Sequence, residues 1–352
     1  MRTSLRPLPF LFLSLILAGS IQGQDIYEQE KGLYSTAGLT DTVNVGRQNK
    51  LVIKSAASLA GTINISVAEQ DKVSLVYFKK ARAETRSRAI DYIDLLAASL
   101  TVLPEHVRLE LRAPNPAPWG NELEAGMIDV ELIVPRGFTV ELDATYYNLV
   151  ARGPLRGIVV QSSLGRFDVA DVTEQLEIGT KNRRVKLENI SGNITVSTTN
   201  SSLIATNVDS PRGTATFRND GGDIKIDGFK GQINVKNSFG KIVISRFSPT
   251  GESNFIRDVS GPITLDITDM SKGQLVVNNR YEDINITIPQ DLKGYFSLAV
   301  DQDGLIEAIN FPFTTDLVER DRLSLSSGSD NVEIVGAIRG TGNIYLRGAK
   351  GD

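Results

Sequence analysis

Apolar and polar residues alternate with a period of two along most of this chain. In the first third the alternation runs through Thr42–Val45, Leu51–Ile53, Thr62–Val67 and Val73–Tyr77. Such alternation marks a strand with one buried face. One segment breaks the period. Ala83, Ile90, Ile93, Leu96, Ala97 and Leu100 recur at three- and four-residue steps, which predicts a helix within 80–100 with a single apolar face. Lys79, Lys80, Arg82, Arg86 and Arg88 would lie around its first half as a solvated flank. Residues 24–40 show no clear period and read as irregular. Residues 113–120, Ala-Pro-Asn-Pro-Ala-Pro-Trp-Gly, must form a loop, because proline withholds backbone donors and restricts its neighbours. Strands resume at Met127–Val134 and Phe138–Leu142.

From about residue 150 one pattern recurs: glycine, any residue, apolar, any residue, apolar. It appears at Gly165, Gly192 and Gly213, then at nine-residue steps as Gly222-Asp-Ile224-Lys-Ile226, Gly231-Gln-Ile233-Asn-Val235 and Gly240-Lys-Ile242-Val-Ile244. Further copies begin at Gly261, Gly273, Gly294 and Gly342, and an earlier one at Gly61. Each glycine permits a turn, often with positive φ. The strand that follows cannot bury its apolar face alone, so many copies must stack around one aliphatic core. The expected fold class is therefore mainly all-β: a β-solenoid of short glycine-punctuated strands with one N-terminal helix. Its rungs would hold roughly 18–21 residues, two glycine steps each, with Ile224/Ile226, Ile233/Val235 and Ile242/Ile244 pointing inward. An antiparallel sandwich is the competing arrangement.

Composition agrees with a layered aliphatic interior: 41% of residues are hydrophobic but only 7% aromatic, with 31 glycines. At the N-terminus, Arg2 and Arg6 precede an apolar run from Phe10 to Ala18, followed by small residues up to Gly23. That is the pattern of a signal peptide over 1–23, too short to span a bilayer, with cleavage expected after Ser20 or Gly23. Its loss would leave 36 cationic and 42 anionic side chains, a net charge of −6. The domains expected are thus 1–23 as signal peptide, 24–145 as an N-terminal strand-plus-helix cap, and 146–352 as the β-solenoid. An acidic balance speaks against nucleic acid as a partner. With no cysteine, a disulfide framework, a thiol nucleophile, thiolate metal sites and an N-terminal lipidated cysteine are all excluded. No apolar run in the mature chain approaches membrane length. The expected location is the periplasm, the outer membrane's surroundings or the cell exterior.

The signal segment, the helical stretch near 80–100, the run Val-Glu-Leu-Ile-Val-Pro-Arg at 130–136 and the repeats, including Ser191-Gly-Asn-Ile-Thr-Val and Gly222-Asp-Ile-Lys-Ile, resemble the bacterial putative-adhesin domain family of unknown function. The resemblance covers most of the mature chain. It implies a β-solenoid in the bacterial envelope, and it brings no catalytic residues.

The residues themselves offer little chemistry. His106 is the one histidine, and it stands beside no metal-ligand pattern. The carboxylate pairs Asp168/Asp171, Asp223/Asp227, Asp266/Asp269 and Asp301/Asp303 fall in strands and turns where charges normally face water. Asp301-Gln-Asp303-Gly304 opens like a calcium loop, but Pro312 stands where the closing glutamate is needed. Serines abound without a histidine base, and no nucleophile elbow or phosphate loop is present. The expectation is therefore no enzyme, no cofactor and no metal, but a surface that binds or builds. Possible surface-binding aromatics are Trp119, Tyr146 and Tyr147, since flat rings stack on sugars or anchor a protein; the alternative is that one tyrosine is buried and Trp119 pins its own loop. The partners expected are a cell-surface glycan or an envelope protein. A polysaccharide-active β-helix enzyme and a filament-forming envelope scaffold are the competing functions.

Overall fold

The computed structural model describes residues 25–119, 123–301, 303–310, 314–327 and 331–349. The signal peptide expected over 1–23 lies outside the described residues. The chain is all-β, with 27 strands and the helix Arg86–Asp94 among those residues.

Two long parallel ladders organise the molecule. The first half of the strand Ile224–Lys236 pairs in parallel with Ile242–Pro249, and its second half with Ser253–Arg257. On one side of each, the same division recurs in Tyr146–Ser163, Phe167–Lys181 and Leu203–Asp220. Along the first ladder, partner residues lie 18 or 21 positions apart: Phe167, Val185, Leu203, Ile224, Ile242, Ile263 and Ile284 follow one another in register. From Ile224 to Ile242 the pairing step spans two nine-residue glycine steps, whereas from Phe167 to Val185 and from Ile242 to Ile263 the offset is kept without a copy of the glycine pattern halfway; the two halves of one strand serve different ladders. Ile224 and Ile242 are stacked neighbours, whereas Ile233 belongs to the second ladder, beside Ala215. All three are fully buried.

The core follows from this register. Ile224, Ile242, Ile263, Ile284 and Ile344 form one continuous column of β-branched side chains, every one of them inaccessible to solvent. Each is worth roughly 2–3 kcal/mol of burial. Elsewhere in the core Phe229 meets Phe217 edge-on and Phe247 at a tilt, with ring centroids 6.5 and 6.0 Å apart. The glycines serve close approach as much as turning. Gly240 has φ +100°, and a Cβ on Gly261 would lie 1.9 Å from the carbonyl oxygen of Gly240 one layer away. At another corner the left-handed conformation itself is stacked: Asp171, Asn189, Asn207, Gly228 and Arg246 all have φ between +50° and +76°. Asn189 donates to Asp171 at 3.0 Å and Asn207 to Asn189 at 3.2 Å, so the side chains repeat the ladder outside the backbone.

The N-terminal third departs from expectation in three places. Residues 24–40 contain the hairpin Ile26–Glu30 with Leu33–Thr36, then the strand Leu39–Asn44. The helix is shorter than its apolar periodicity suggests, because Ala97–Val102 pairs antiparallel with Val107–Arg112 instead of continuing it. Ser-Leu-Thr-Val at 99–102 suits a strand, and the tertiary edge was available to take it. Thr85 caps the helix, its hydroxyl accepting from the Arg88 N–H. Finally, Lys79, Lys80 and Arg82 belong to the strand Lys72–Arg82, not to a helix flank. Lys80 pairs with Asp129 at 2.8 Å and Arg82 with Glu30 at 2.8 Å, while Lys79 is buried and its ammonium pushed down by desolvation.

Antiparallel strands close the N-terminal end of both ladders: Lys72–Arg82 lies against Ala125–Pro135, and Ala97–Val102 against Val107–Arg112. At the other end the last strands, Val332–Ile338 and Ile344–Ala349, insert between earlier layers. There the antiparallel pair Thr314–Val318 and Arg322–Ser326 lies against Tyr295–Val300. No helix among the described residues is long and apolar enough to cross a membrane.

Candidate ligand-binding face

The second ladder runs through Asn193–Thr199, the ends of Leu203–Asp220 and Ile224–Lys236, then Ser253–Arg257 and Gly273–Asn279. Alternation turns every second side chain outward, and register lines these up in columns. One outward column reads Gln175, Asn193, Thr214, Gln232, Ser253, Gln274; the next reads Thr195, Thr216, Asn234, Phe255, Val276. The third contains Ser197, Arg218, Lys236, Arg257 and Asn278. Three cations thus follow one another on adjacent strands, each exposed. Phe255 stands beside them with 45% of its surface exposed.

Just inside this face runs a buried polar column: Thr180, Thr198, Asn219, Asn237, Asp258 and Asn279. Its amides hold the turns that bend each layer. Asn219 donates to Gly222 O at 2.9 Å, Asn237 to Gly240 O at 2.8 Å and Asn279 to Glu282 O at 2.8 Å, always three residues ahead. Asp258 is the one acid in the column and is 1% exposed. It accepts from the backbone N–H groups of Val259 and Ser260 and from Asn237 Nδ2 at 3.1 Å. Desolvation outweighs these bonds and lifts its carboxyl from an ordinary 3.8 to about 6. Over Asp258 opens a cavity of about 410 Å³ that Arg257, Arg280 and Arg339 share with Asn278, Asn279 and Asp301.

Of the three aromatics singled out in the sequence, Tyr146 alone is a surface residue. It is 52% exposed and borders a second concavity with Arg166 and Arg183. Tyr147, the next residue on the strand, points inward and is wholly buried, so it cannot meet a ligand. Burial pushes its phenol far above the usual range. Trp119 is a strut. Its indole N–H donates to Ser58 O at 3.3 Å, its ring meets Tyr92 edge-on at 5.7 Å, and it covers Gly126 so closely that a Cβ there would lie 2.5 Å from the ring. The three are not gathered into one site.

Five of the eight candidate carboxylates, Asp168, Asp171, Asp223, Asp227 and Asp303, are held by other groups. Asp168 pairs with Arg152 at 2.9 Å, and Asp227 with Arg246 at 2.8 Å, an ion pair that lowers the Asp227 carboxyl. Asp223 accepts from the Lys241 N–H, and Asp303 pairs with Arg320. His106 closes the turn between two antiparallel strands, its carbonyl accepting from the Leu103 N–H. The residues that do converge, Arg218, Lys236, Arg257 and Phe255, were not singled out by motif. Their signal lies in the phase of the repeat: Phe217-Arg-Asn, Val235-Lys-Asn and Ile256-Arg-Asp align once the 18- and 21-residue offsets are known.

No family model matches the chain, and neither does any curated protein. Among solved structures it is similar to a putative cell adhesion protein from Clostridium sporogenes, at 11% identity and a TM-score of 0.23, covering 89% of this chain and 99% of that one. It is also similar to a putative adhesin from Bacteroides fragilis (10% identity, TM-score 0.25, 88% and 97% covered) and to one from Parabacteroides merdae (10%, 0.25, 87% and 95%).

Proposed function

We propose that this chain is an exported, non-catalytic β-solenoid that binds a surface or envelope component in the manner of an adhesin. The parallel ladders and the 18- or 21-residue offsets that recur from Phe167 to Ile284 support the solenoid reading. The binding reading rests on one observation above the rest: outward columns of amide, hydroxyl and cationic side chains held in register across successive strands of one ladder. Such a face offers a repeating partner many equal contacts, each weak, at fixed spacing. A glycan is the partner that this pattern suits, because its hydroxyls can meet Asn, Gln, Thr and Ser again and again. Four of the eight candidate acids, Asp168, Asp223, Asp227 and Asp303, are engaged in surface ion pairs, which supports binding without turnover. The test is retention of the purified mature chain on a panel of bacterial and host polysaccharides, with chromatography of each polysaccharide after incubation. Binding with unchanged chain length is expected; depolymerisation would replace this reading with an enzymatic one, and retention on none would end it.

A further inference from the structure

We infer that the ligand of this face is an acidic polysaccharide, with its carboxylate or sulfate groups seated on the row Arg218, Lys236 and Arg257. The inference rests on the binding reading above and adds the chemical class of the partner.

The charges supply the first argument. Like charges directly opposite one another on neighbouring strands destabilise a sheet, yet Arg218 is in register with Lys236 and Lys236 with Arg257. Several exposed cations elsewhere stand beside acids, as Arg152 does with Asp168, Arg246 with Asp227 and Lys50 with Glu141, and among the described residues the other cations that lack a partner are not set in register with one another on adjacent strands as these three are. None of the three residues in the row forms an ion pair among the described residues, and neither do Arg280 and Arg339 around the adjoining corner. The acids bordering the strip are Asp220, exposed beyond Arg218, and Asp301 in the far wall of the cavity; Asp258 is buried beneath it. An unpaired cationic row on a chain of net negative charge calls for an anion from outside.

Spacing and shape supply the second. Parallel strands lie about 4.8 Å apart, so the three cations are anchored at equal steps along one line. A pyranose unit advances its chain by a similar length, which lets acidic groups on successive sugars meet successive cations. Phe255 lies two residues before Arg257 on the same face, where its exposed ring can stack on a sugar. Thr216 and Asn234 continue its column with hydrogen-bonding groups. Single-stranded nucleic acid would ask for several stacking rings in succession, and this column has one.

The test uses the mature chain and four probes: polygalacturonate, neutral dextran, single-stranded DNA, and vesicles containing anionic phospholipid. Binding is measured at low and physiological salt for wild type, for Arg218→Ser/Lys236→Ser/Arg257→Ser, and for Phe255→Ser, after circular dichroism and a thermal melt show each variant folded. Wild type is expected to bind polygalacturonate and to weaken as salt rises. The triple variant should lose about tenfold or more, and Phe255→Ser several-fold. Should the triple variant fail to fold, Lys236→Glu alone must still weaken binding. Undiminished binding by the triple variant or by Lys236→Glu would overturn the inference, as would wild-type binding to DNA or vesicles in preference to polygalacturonate. Binding to dextran but not to polygalacturonate would sink the acidic ligand and leave the binding reading standing; binding to neither would overturn this inference, and the binding reading would fall with it when the whole polysaccharide panel also retains nothing.

Discussion

Replacing Asp258 with asparagine should make this protein more stable at neutral pH. Asp258 occupies a buried column whose neighbouring layers carry Asn237 and Asn279. Its carboxyl is lifted from 3.8 to about 6, chiefly by desolvation. The folded chain therefore holds a proton there more tightly than the unfolded chain does. Stability from this source is fully present below pH 3.8 and is lost as pH rises through about 6. Two units at about 1.4 kcal/mol each give a penalty of roughly 3 kcal/mol at pH 7.5. Asparagine removes the charge and keeps one carbonyl for the Val259 and Ser260 N–H groups. It gives up the acceptor that now faces Asn237 Nδ2 at 3.1 Å, at a cost of about 1 kcal/mol. The expected net gain is about 2 kcal/mol at pH 7.5, reversing to a loss of about 1 kcal/mol under pH 4, where the ionisation penalty is gone and only the missing acceptor counts. Urea unfolding of wild type and Asp258→Asn from pH 3.5 to 8 would measure it, since the two curves must diverge between pH 4 and 6.5. Parallel pH profiles, or a variant less stable than wild type at pH 7.5, would refute the reasoning and place Asp258 among groups that ionise at little cost.

Two further substitutions probe the layering itself. Gly261→Ala should cost about 3–5 kcal/mol, because its Cβ would press on the Gly240 carbonyl that Asn237 already holds, whereas Gly137→Ala, at φ +77° with nothing within 4 Å, should cost only about 1 kcal/mol; the difference in urea midpoint is the readout. Tyr147→Phe should leave the melting temperature unchanged or raise it slightly, because the buried hydroxyl meets no partner in hydrogen-bonding geometry among the described residues; a loss of about 1 kcal/mol would show instead that the hydroxyl bonds to the nearby Ser55.

Much of the architecture was legible in the chain because its layers are made by local rules. Alternation at Ile224/Ile226 and Ile242/Ile244 names the inward residues, and glycine marks the points where one backbone crosses another. The nine-residue steps even carry the length of the repeat, since two of them make the 18-residue offset of the ladder. That one tyrosine of the 146–147 pair is buried follows from strand parity, since adjacent residues of a strand face opposite sides; the contacts of Trp119, which lies in a loop, had no such signal.

Other features were decided only by tertiary structure. Residues 97–102 have enough helical periodicity to continue Arg86–Asp94, and it is the partner strand at 107–112 that makes them a strand. The insertion of Val332–Ile338 between Gly273–Asn279 and Tyr295–Val300 follows from which edge was open, not from any local signal. The cationic row is the sharpest case. Arg218, Lys236 and Arg257 are separated by 18 and 21 residues, and each taken alone is an ordinary exposed cation. A change of one residue in either offset would turn one of them to the other side of the sheet, because side chains alternate with a period of two. Sequence determined that each layer would have an inside and an outside; only the hydrogen-bonded register determined which outward residues stand together.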